Sequence, residues 1–439
     1  MYSQAKPLLV QNASIIDGLS DKILYHQNLL IQNGIILRIW RGEVGETSGI
    51  DVIQADNEFV IPGLIDSHTH LFPSCYNLFL SHGITAVRDM ASEADRTIEQ
   101  KRRIETGDIR GPRIYTHGEL IDGTTSRRKD APYTICVANE DEIVVVINSL
   151  AEKGVDGIKL YSELPLHVFS RGVHRAHEIG LPVSAHVGHS RRVTVKQAVE
   201  AGVDAIEHTA TFLPDMFPPD ELAETMGDAY TIKNQLRGFI AWSKVDLQKP
   251  RVSRIISLLA EKRVYHTPTL INIENLINGE RSIGDNEQLL LKQIPEEIKV
   301  NWRQQTPSLF EEWSDEERKI ATQGFEKIKH LVGLLYREGV RLGVGSDAPN
   351  PWTIPGAALI REMELMVECG IPPMKVIQLA TKNSAVALGK RFEDVGSIKE
   401  GNSADLIILK ENPAIDISNC RKIAYVIRRG LLHNPAEFE

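Results

Sequence analysis

Eight short apolar runs, separated by stretches with helical periodicity, fill the middle of this 439-residue chain. Alternation of this kind is typical of α/β proteins, whose βα units place their strands parallel in one sheet. Eight such strands fit a closed (β/α)8 TIM barrel, and periodicity alone leaves an open, doubly wound sheet as the alternative. No G-x-G-x-x-G motif follows an early run, which disfavours a dinucleotide-binding open sheet. The predicted strands cover residues 59–65, 84–88, 113–116, 157–160, 182–185, 205–207, 264–267 and 341–345.

Both ends of the chain carry a different pattern, with short runs of β type. Residues 29–32 and 35–39 flank Asn33-Gly34, a dipeptide typical of tight hairpin turns. Residues 404–409 and 423–427 are short apolar runs rich in β-branched side chains. We therefore expect residues 1–58 and 393–439 to form one small β-sandwich domain, with the barrel occupying residues 59–392.

The charge balance restricts the partners of the chain. It has 50 basic and 59 acidic residues and a net charge of -9, with only small basic clusters, so nucleic acid is not an expected partner. No apolar stretch approaches the ~20 residues of a membrane span, and the N-terminal run at 7–10 is too short for a signal peptide. The four cysteines are widely spaced, as free thiols are. We expect a cytoplasmic protein, alone or as a homo-oligomer.

Two of the predicted βα connections are long. Residues 208–264 contain several prolines and then a helical stretch, and residues 268–339 are rich in charged side chains. In a barrel both connections would lie on the face that carries active sites. They are either solvated additions to that face or a lid over it.

Histidines and an aspartate follow several of the predicted strands. His68 and His70 are two residues apart, so in an extended strand they point the same way. His186, His208 and Asp347 each come at the end of a later strand, the position of catalytic residues in barrels. Each histidine alone is commonplace, but four imidazoles and a carboxylate converging at one barrel mouth suit zinc, manganese or iron.

Lys159 lies at the end of the fourth predicted strand. An ammonium ion at that place would be desolvated and repelled by a metal. The amine could instead be neutral, could have captured carbon dioxide as an anionic carbamate that bridges two metals, or could pair with an acid such as Glu163.

This arrangement resembles the amidohydrolase superfamily. Four segments carry the resemblance across nearly the whole chain, and the chain looks most like its prolidase-like and imidazolonepropionase-like members. The segments are VIPGLIDSHTH at 60–70, GITAVRD at 83–89, GPR at 111–113 and GSIKEGNSADL at 396–406.

The resemblance implies a ligand set. His68 and His70 would bind one metal together with Asp347, and His186 and His208 would bind a second metal. Carbamylated Lys159 and a hydroxide would bridge the two ions, most simply zinc, with manganese or iron as alternatives. Deaminases and imidazolone hydrolases with one metal usually lack the bridging lysine, so its presence favours the prolidase-like, two-metal branch.

The implied reaction is hydrolysis of a small amide. A water shared by two divalent ions loses a proton near neutral pH, and the hydroxide attacks the amide carbonyl while Asp347 acts as general base and then acid. No G-x-S-x-G motif suggests a serine nucleophile instead. The alternatives are a one-metal deaminase or cyclic amide hydrolase, and a non-catalytic scaffold, although scaffolds of this family typically lose their ligands.

The expected substrate is a dipeptide or an N-acyl amino acid, and a cyclic amide is the alternative. Arginine binds carboxylates through two hydrogen bonds, so an arginine near the mouth could hold a free carboxylate of the substrate. Arg127-Arg128 follows the third predicted strand. The other candidate contacts with the substrate, all at predicted strand ends or in the loops behind them, are Arg191, Arg192, Tyr161, Tyr230, His117 and His266.

Overall fold

The terminal β domain is built from both chain ends, as the sequence predicts. The computed structural model describes residues 6–188, 192–218, 220–222, 232–305, 313–388 and 392–435, and eight strands of these residues form one sheet. The strands are β1 (Leu8–Ile16), β2 (Ile23–Gln32), β3 (Ile35–Arg41), β4 (Asp51–Gln54), β5 (Phe59–Pro62), β16 (Leu406–Leu409), β17 (Ile423–Arg428) and β18 (Leu431–His433). Their order is β18-β17-β16-β5-β1-β2-β3, and β4 pairs with β1.

This sheet folds back on itself around its own core. At the predicted hairpin, Asn33 and Gly34 have φ of 53° and 77°, the conformation that a type I′ turn requires. The strand β3 then reaches the segment before β16, where the Ala404 amide donates to the Gly34 carbonyl at 2.8 Å. The enclosed side chains include Leu29, Ile31, Ile36, Val60, Leu406 and Ile427.

The central part of the chain forms the predicted (β/α)8 barrel. Its strands pair in parallel from β6 to β8 and from β11 to β15. Backbone bonds join the two groups: the Asp156 amide donates to the Thr116 carbonyl at 2.7 Å, and the Ser67 amide to the Val344 carbonyl at 2.8 Å. The barrel strands are β6 (Leu64–Thr69), β7 (Ile84–Asp89), β8 (Arg113–Thr116), β11 (Ile158–Leu160), β12 (Val183–Ala185), β13 (Ala205–Glu207), β14 (Tyr265–Thr267) and β15 (Arg341–Leu342).

The first predicted strand, 59–65, is divided between the two domains. Gly63 separates β5, in the terminal sheet, from β6, in the barrel, and its amide donates to the Asp405 carbonyl at 2.8 Å. A Cβ atom at position 63 would overlap the side chain of Thr85. The close approach of the two domains at this glycine therefore ends one strand, and the barrel begins at Leu64 instead of residue 59.

Helices cover the outside of the barrel, and capping residues in the sequence fix where some of them begin. Thr194 and Gln197 form a reciprocal capping box, as do Ser314 and Glu317. The helices that follow successive strands are Tyr76–Ser81, Ala94–Thr106, Glu140–Lys153, Leu166–Glu178, Val195–Ala201, Pro250–Glu261, Asp315–Arg337 and Ala357–Glu368. Pro373–Gln378 and Ser384–Ala387 complete the route to the terminal domain.

The two long connections contain further helices. The one after β13 adds Leu213–Met216 and Ile232–Lys244, and the one after β14 adds Leu270–Asn278, Asp285–Leu290 and Glu296–Gln305. Trp302 is buried and donates from Nε1 to the carbonyl of Pro349, so the second connection packs onto the loop that follows β15. Whether either connection moves as a lid stays a prediction.

Two short strands escaped the sequence prediction. They are β9 (Leu120–Gly123) and β10 (Thr134–Val137), which pair with each other in parallel, and β9 also contacts β11. Each is only four residues long and lacks a clear alternation of apolar side chains. None of the helices in the described residues combines the length and the apolar character that a bilayer crossing demands.

Candidate metal centre

The six predicted ligands all lie at the carboxyl ends of barrel strands. The loops of a barrel meet at this face, which is why ligands from distant parts of the chain can converge there. Five of the six are buried, and the sixth, His70, is partly exposed. Their positions are His68 in β6, His70 directly after it, Lys159 in β11, His186 after β12, His208 after β13 and Asp347 in the loop after β15.

Asp347 lies at the centre of this cluster. Its Oδ1 is 3.3 Å from Nε2 of His68 and 3.1 Å from Nε2 of His70. Its Oδ2 is 3.7 Å from Nδ1 of His208. One donor atom each from His68, His208 and Asp347 lies within 4.8 Å of the other two. Three strands thus bring their donors to one point.

The imidazole rings continue from this point towards the fifth strand. The ring centroids of His68 and His208 are 4.5 Å apart, and those of His208 and His186 are 4.4 Å apart. The centroids of His68 and His70 are 5.7 Å apart. His208 therefore stands between the ligands of the first strand and His186, which suits an arrangement of two neighbouring ions.

Two of these ligands have a left-handed backbone. The φ of His208 is 65° and that of Asp347 is 58°, values that cost energy for residues with a Cβ atom. In a regular strand, Glu207 and His208 would point to opposite faces. Here Glu207 contacts the His68 side chain from one side while the ring of His208 packs against it from another. The unusual backbone thus directs two consecutive residues to one ligand.

Lys159 places a buried amine among these ligands. Its side chain is 2% exposed, and among the described residues its Nζ has no hydrogen-bond partner. Burial, helped by the charge of Arg88 and opposed by Glu207 and Asp347, lowers the pKa of Lys159 to about 8. The pairing with Glu163 is not formed, because Glu163 lies 3.2 Å from Nε of Arg192 and accepts a bond from Thr125.

Burial and charge also set the protonation of two other ligands. Burial, with the charges of His68 and Lys159, holds the pKa of His208 well below its ordinary value, so its imidazole is neutral and available as a donor. Burial raises the pKa of Asp347, but the charge and the hydrogen bond of the facing His68 outweigh it and hold that pKa well below its usual range. Imidazoles around an ionised carboxylate form a donor set suited to a divalent cation.

A layer of residues behind the ligands was missed by the sequence analysis. Glu207 lies 2.7 Å from Nδ1 of His68, and Thr269, whose φ is 51°, lies 2.8 Å from Nδ1 of His208. Asn272 donates to Oδ2 of Asp347 at 2.6 Å. The one signal in the sequence was a charged residue inside a short apolar strand, as at Glu207.

Tyr161 contacts one of the predicted ligands, and Arg128 contacts Tyr161 in turn. The ring of Tyr161 is 7% exposed and lies 4.3 Å from that of His186, and the guanidinium of Arg128 lies 4.9 Å from the Tyr161 ring. Arg192 is instead engaged by Glu163 and Thr125. Of the predicted basic pairs, Arg128 therefore contacts the residue that stacks on His186.

The other predicted substrate contacts are placed differently. His266 is completely buried, with Nε2 2.8 Å from Thr209 and Nδ1 2.9 Å from the Ile206 carbonyl, so both ring nitrogens are used within the fold. His117 is 1% exposed and lies 3.3 Å from the Asp89 carbonyl. His266 thus uses its ring within the fold, and the role of both histidines as substrate contacts stays a prediction. The remaining two, Arg191 and Tyr230, lie outside the described residues.

A parallel barrel with this donor set at its mouth is the architecture of a metal-dependent hydrolase. The clustered imidazole and carboxylate donors fit a divalent ion, and the buried amine of Lys159, which has no hydrogen-bond partner in the part of the chain that the structure describes, adjoins them.

Comparison with known proteins names the family. Residues 59–432 match the amidohydrolase family, and the chain belongs to it. Members of this family are hydrolases that act on carbon–nitrogen bonds. Over 419 residues the chain is 24% identical to the 5-methylthioadenosine/S-adenosylhomocysteine deaminase of Dictyoglomus turgidum, an alignment covering 92% of this chain and 85% of the relative. The predicted family and enzyme class are confirmed.

Solved structures confirm the fold. A Xaa-Pro dipeptidase with bound methionine superposes with a TM-score of 0.71 at 24% identity, covering 98% of this chain and 100% of that one. A bottromycin amidohydrolase gives a TM-score of 0.78 at 19% identity, with 99% and 89% covered. At these identities the likeness concerns the barrel and its terminal β domain.

Proposed function

We propose that this protein is a two-metal amidohydrolase that cleaves the carbon–nitrogen bond of a small amide. The observation that carries the proposal is the buried amine of Lys159, which lacks a hydrogen-bond partner among the described residues. Lys159 lies on the strand that pairs with the one leading to His186, and the charge of Asp347 acts on it. A carbamate on Nζ, formed from carbon dioxide with release of a proton, would turn it into a ligand.

The residues divide into two sets of ligands. His68 and His70, with Asp347, would hold one ion, and His186 and His208 would hold the other. A carbamate on Lys159 would be a further ligand. Bound divalent ions would polarise the substrate carbonyl and lower the pKa of water.

Asp347 would move the proton. Its Oδ2 is held by Asn272 at 2.6 Å, so the carboxylate is fixed in orientation. From that position Asp347 would accept the proton of the attacking water and return it to the leaving nitrogen. Water and amide are consumed, a carboxylic acid and an amine are released, and no covalent intermediate with the protein is needed.

Metal content tests the proposal. Protein produced with ample zinc or manganese should contain close to two equivalents by elemental analysis. The same preparation should hydrolyse members of a panel of dipeptides, N-acyl amino acids and cyclic amides. A plateau at one equivalent would favour the second candidate.

That second candidate is a one-metal deaminase. It is favoured by the deaminase from Dictyoglomus turgidum, which aligns with 92% of this chain. The trio His68, His208 and Asp347 could also hold a single ion. One bound ion, together with ammonia release from an amino-substituted heterocycle and no cleavage of amides, would decide for the deaminase.

We further propose that the substrate carries a free carboxylate, which Arg128 binds. Its guanidinium lies over Tyr161, whose ring in turn lies on the ligand His186. A substrate held there would extend from the metal ligands to a cation. A charged hydrogen bond is worth ~1.5–3 kcal/mol, so replacing a dipeptide by its C-terminal amide should lower kcat/KM correspondingly.

Arg128→Gln should erase the difference between acid and amide. Arg192→Gln is the matched control, since Arg192 is engaged by Glu163 and should leave the difference in place. Equal rates for acid and amide in the unmodified protein would rule out the carboxylate contact while leaving the metal site untouched.

A further inference from the structure

We infer that Glu207 and Arg88 are positioning residues that hold His68 in the orientation and tautomer needed for metal binding, an inference that rests on the proposed metal function. Both side chains are buried inside the barrel, below the ligands. Neither belongs to the predicted ligand set, and each is a charged residue on a strand whose neighbours are mostly apolar.

Glu207 decides which nitrogen of His68 carries the proton. Its Oε2 lies 2.7 Å from Nδ1 of His68. A carboxylate only accepts hydrogen bonds, so Nδ1 must donate and, in the neutral ring that binds a metal, Nε2 carries the lone pair. That Nε2 faces Oδ1 of Asp347 at 3.3 Å, on the side where the ligands converge. The contact therefore presents the correct nitrogen to an ion.

Arg88 holds His68 from two directions. Its Nε donates to the carbonyl of Ser67, the residue directly before His68 in the chain, and its Nη2 donates to Oε1 of Glu207 at 2.8 Å. One guanidinium thus fixes both the backbone that carries His68 and the carboxylate behind its ring. Because the guanidinium is planar, these two contacts hold a constant geometry relative to each other.

Further bonds anchor the guanidinium across the barrel. Nη1 donates to Oγ of Ser184 at 3.1 Å, and Nη2 donates to Oγ1 of Thr267 at 3.2 Å. Arg88 extends from β7, so it is linked to β6, β12, β13 and β14 at one level below the mouth. The orientation of one ligand is in this way tied to the arrangement of five strands.

A charged acceptor behind a histidine also increases the electron density that the ring offers to a metal. Loss of such a contact typically weakens metal binding about 10–100-fold. The effect should fall on the ion bound by His68. The ion bound by His186 and His208 should be affected less, because Glu207 is not bonded to either ring in the described residues.

The experiment compares zinc affinities of the full-length protein and Glu207→Gln by competition with a chromogenic chelator. We expect about 10–100-fold weaker binding of one ion, little change for the other, and an altered visible spectrum of the cobalt-substituted protein. Asp405→Asn is the control: it also breaks a buried carboxylate–arginine pair, with Arg428, in the terminal domain, and should leave both affinities unchanged.

The possible outcomes distinguish a failure of this inference from a failure of the two-metal proposal. Two unchanged affinities in Glu207→Gln would overturn the inference and leave the two-metal proposal standing, whereas unmodified protein that binds no zinc would overturn both. If Glu207→Gln does not fold, Ser184→Ala, which removes one bond to Arg88, carries the test. A fall in affinity of about two- to fivefold supports the inference, since one neutral hydrogen bond is worth about 1 kcal/mol, and no fall overturns it.

Discussion

At the scale of single residues, the ligand cluster combines several features that lower the stability of a folded chain. Lys159 buries an amine without a hydrogen-bond partner among the described residues, and His208 and Asp347 adopt left-handed backbone conformations. Unpaired polar groups and strained residues persist only where the surrounding structure holds them in place, and they concentrate at functional sites. The cost in stability is therefore consistent with a site arranged for binding.

Lys159→Ala should remove the second metal and most of the activity. The methyl group cannot form a carbamate, so the bridging oxygens disappear while the four histidines remain. A short-chain carboxylic acid added to this variant should restore part of the metal binding and part of the activity, because its carboxylate can supply two oxygens in place of those of the carbamate. Metal analysis and kcat measure the effect.

Lys101→Met is the control for this experiment. Lys101 is also buried, but it pairs with Asp156 at 2.5 Å, away from the ligands. Its replacement should lower stability and leave the metal content at two equivalents. Full metal content and an unchanged rate in Lys159→Ala would contradict the carbamate.

Asp347→Asn should separate metal binding from proton transfer. The amide keeps an oxygen that can serve as a ligand but cannot accept a proton, so kcat should fall by ~10²–10⁴ while most of the metal is retained. Single-turnover rates and metal content measured on the same sample give the answer. A kcat near that of the unmodified protein would assign the proton transfer to another group.

The sequence predicted the candidate metal ligands but not the residues that hold them in place. Polar residues that directly follow apolar runs, such as His186 and His208, can be recognised because a barrel places all strand ends at one face. Arg88 and Glu207 escaped because the partner of a buried charge comes from a distant strand. His266 shows the converse difficulty, since a strand-end histidine can also use both its nitrogens for hydrogen bonds inside the fold.

At the scale of secondary-structure elements, strand β6 matters most, because it carries His68 and begins where the terminal sheet ends. Sequence periodicity could not find the break at Gly63, since apolar residues continue on both sides of it. What the structure adds at this position is a contact in space: Thr85, on the neighbouring strand β7, occupies the volume that a side chain at position 63 would need.

Gly63→Ala should destabilise the fold by about 1–3 kcal/mol, the usual cost of overpacking a tight core. The added Cβ would lie 2.8 Å from Cβ of Thr85 and closer still to its branches, so Gly63→Ala combined with Thr85→Ala should recover part of the loss. Gly45→Ala, where nothing lies within 4 Å, is the control. Denaturant titrations of the four proteins measure the effect, and equal stability of Gly63→Ala and Gly45→Ala would refute it.

At the scale of the whole molecule, Asp405 links the terminal domain to the barrel. Its side chain lies 2.9 Å from Nη1 of Arg428 in the terminal sheet and 3.7 Å from Nη2 of Arg113 on barrel strand β8. Burial raises the pKa of Asp405, but these two arginines outweigh it, and the pKa is lower than in an unfolded chain. The carboxylate therefore contributes stability only while it is ionised.

Asp405→Asn should lower the free energy of unfolding by ~3–5 kcal/mol at neutral pH, as breaking a buried ion pair does. Because the pKa is lower in the folded state, the contribution is present above the unfolded value of ~3.9 and is lost as the pH falls through the folded value. The difference between the two proteins should therefore narrow in acid. Melting temperatures across pH 3–8 test this, and Asp51→Asn at an exposed position is the control. A difference between the unmodified protein and Asp405→Asn that stays constant with pH would contradict the prediction.

The pairing of β5 with β16 has a consequence for the order of events during synthesis. Val60 pairs with Ile408, so one edge of β5 keeps its backbone groups open until the ribosome has made the whole barrel, a wait on the order of tens of seconds. Open strand edges are sites of wrong association. The strand β5, which leads through Gly63 to His68 and His70, is thus among the last to complete its backbone hydrogen bonds. Slow translation or a shortened C-terminus should therefore promote aggregation through its open edge.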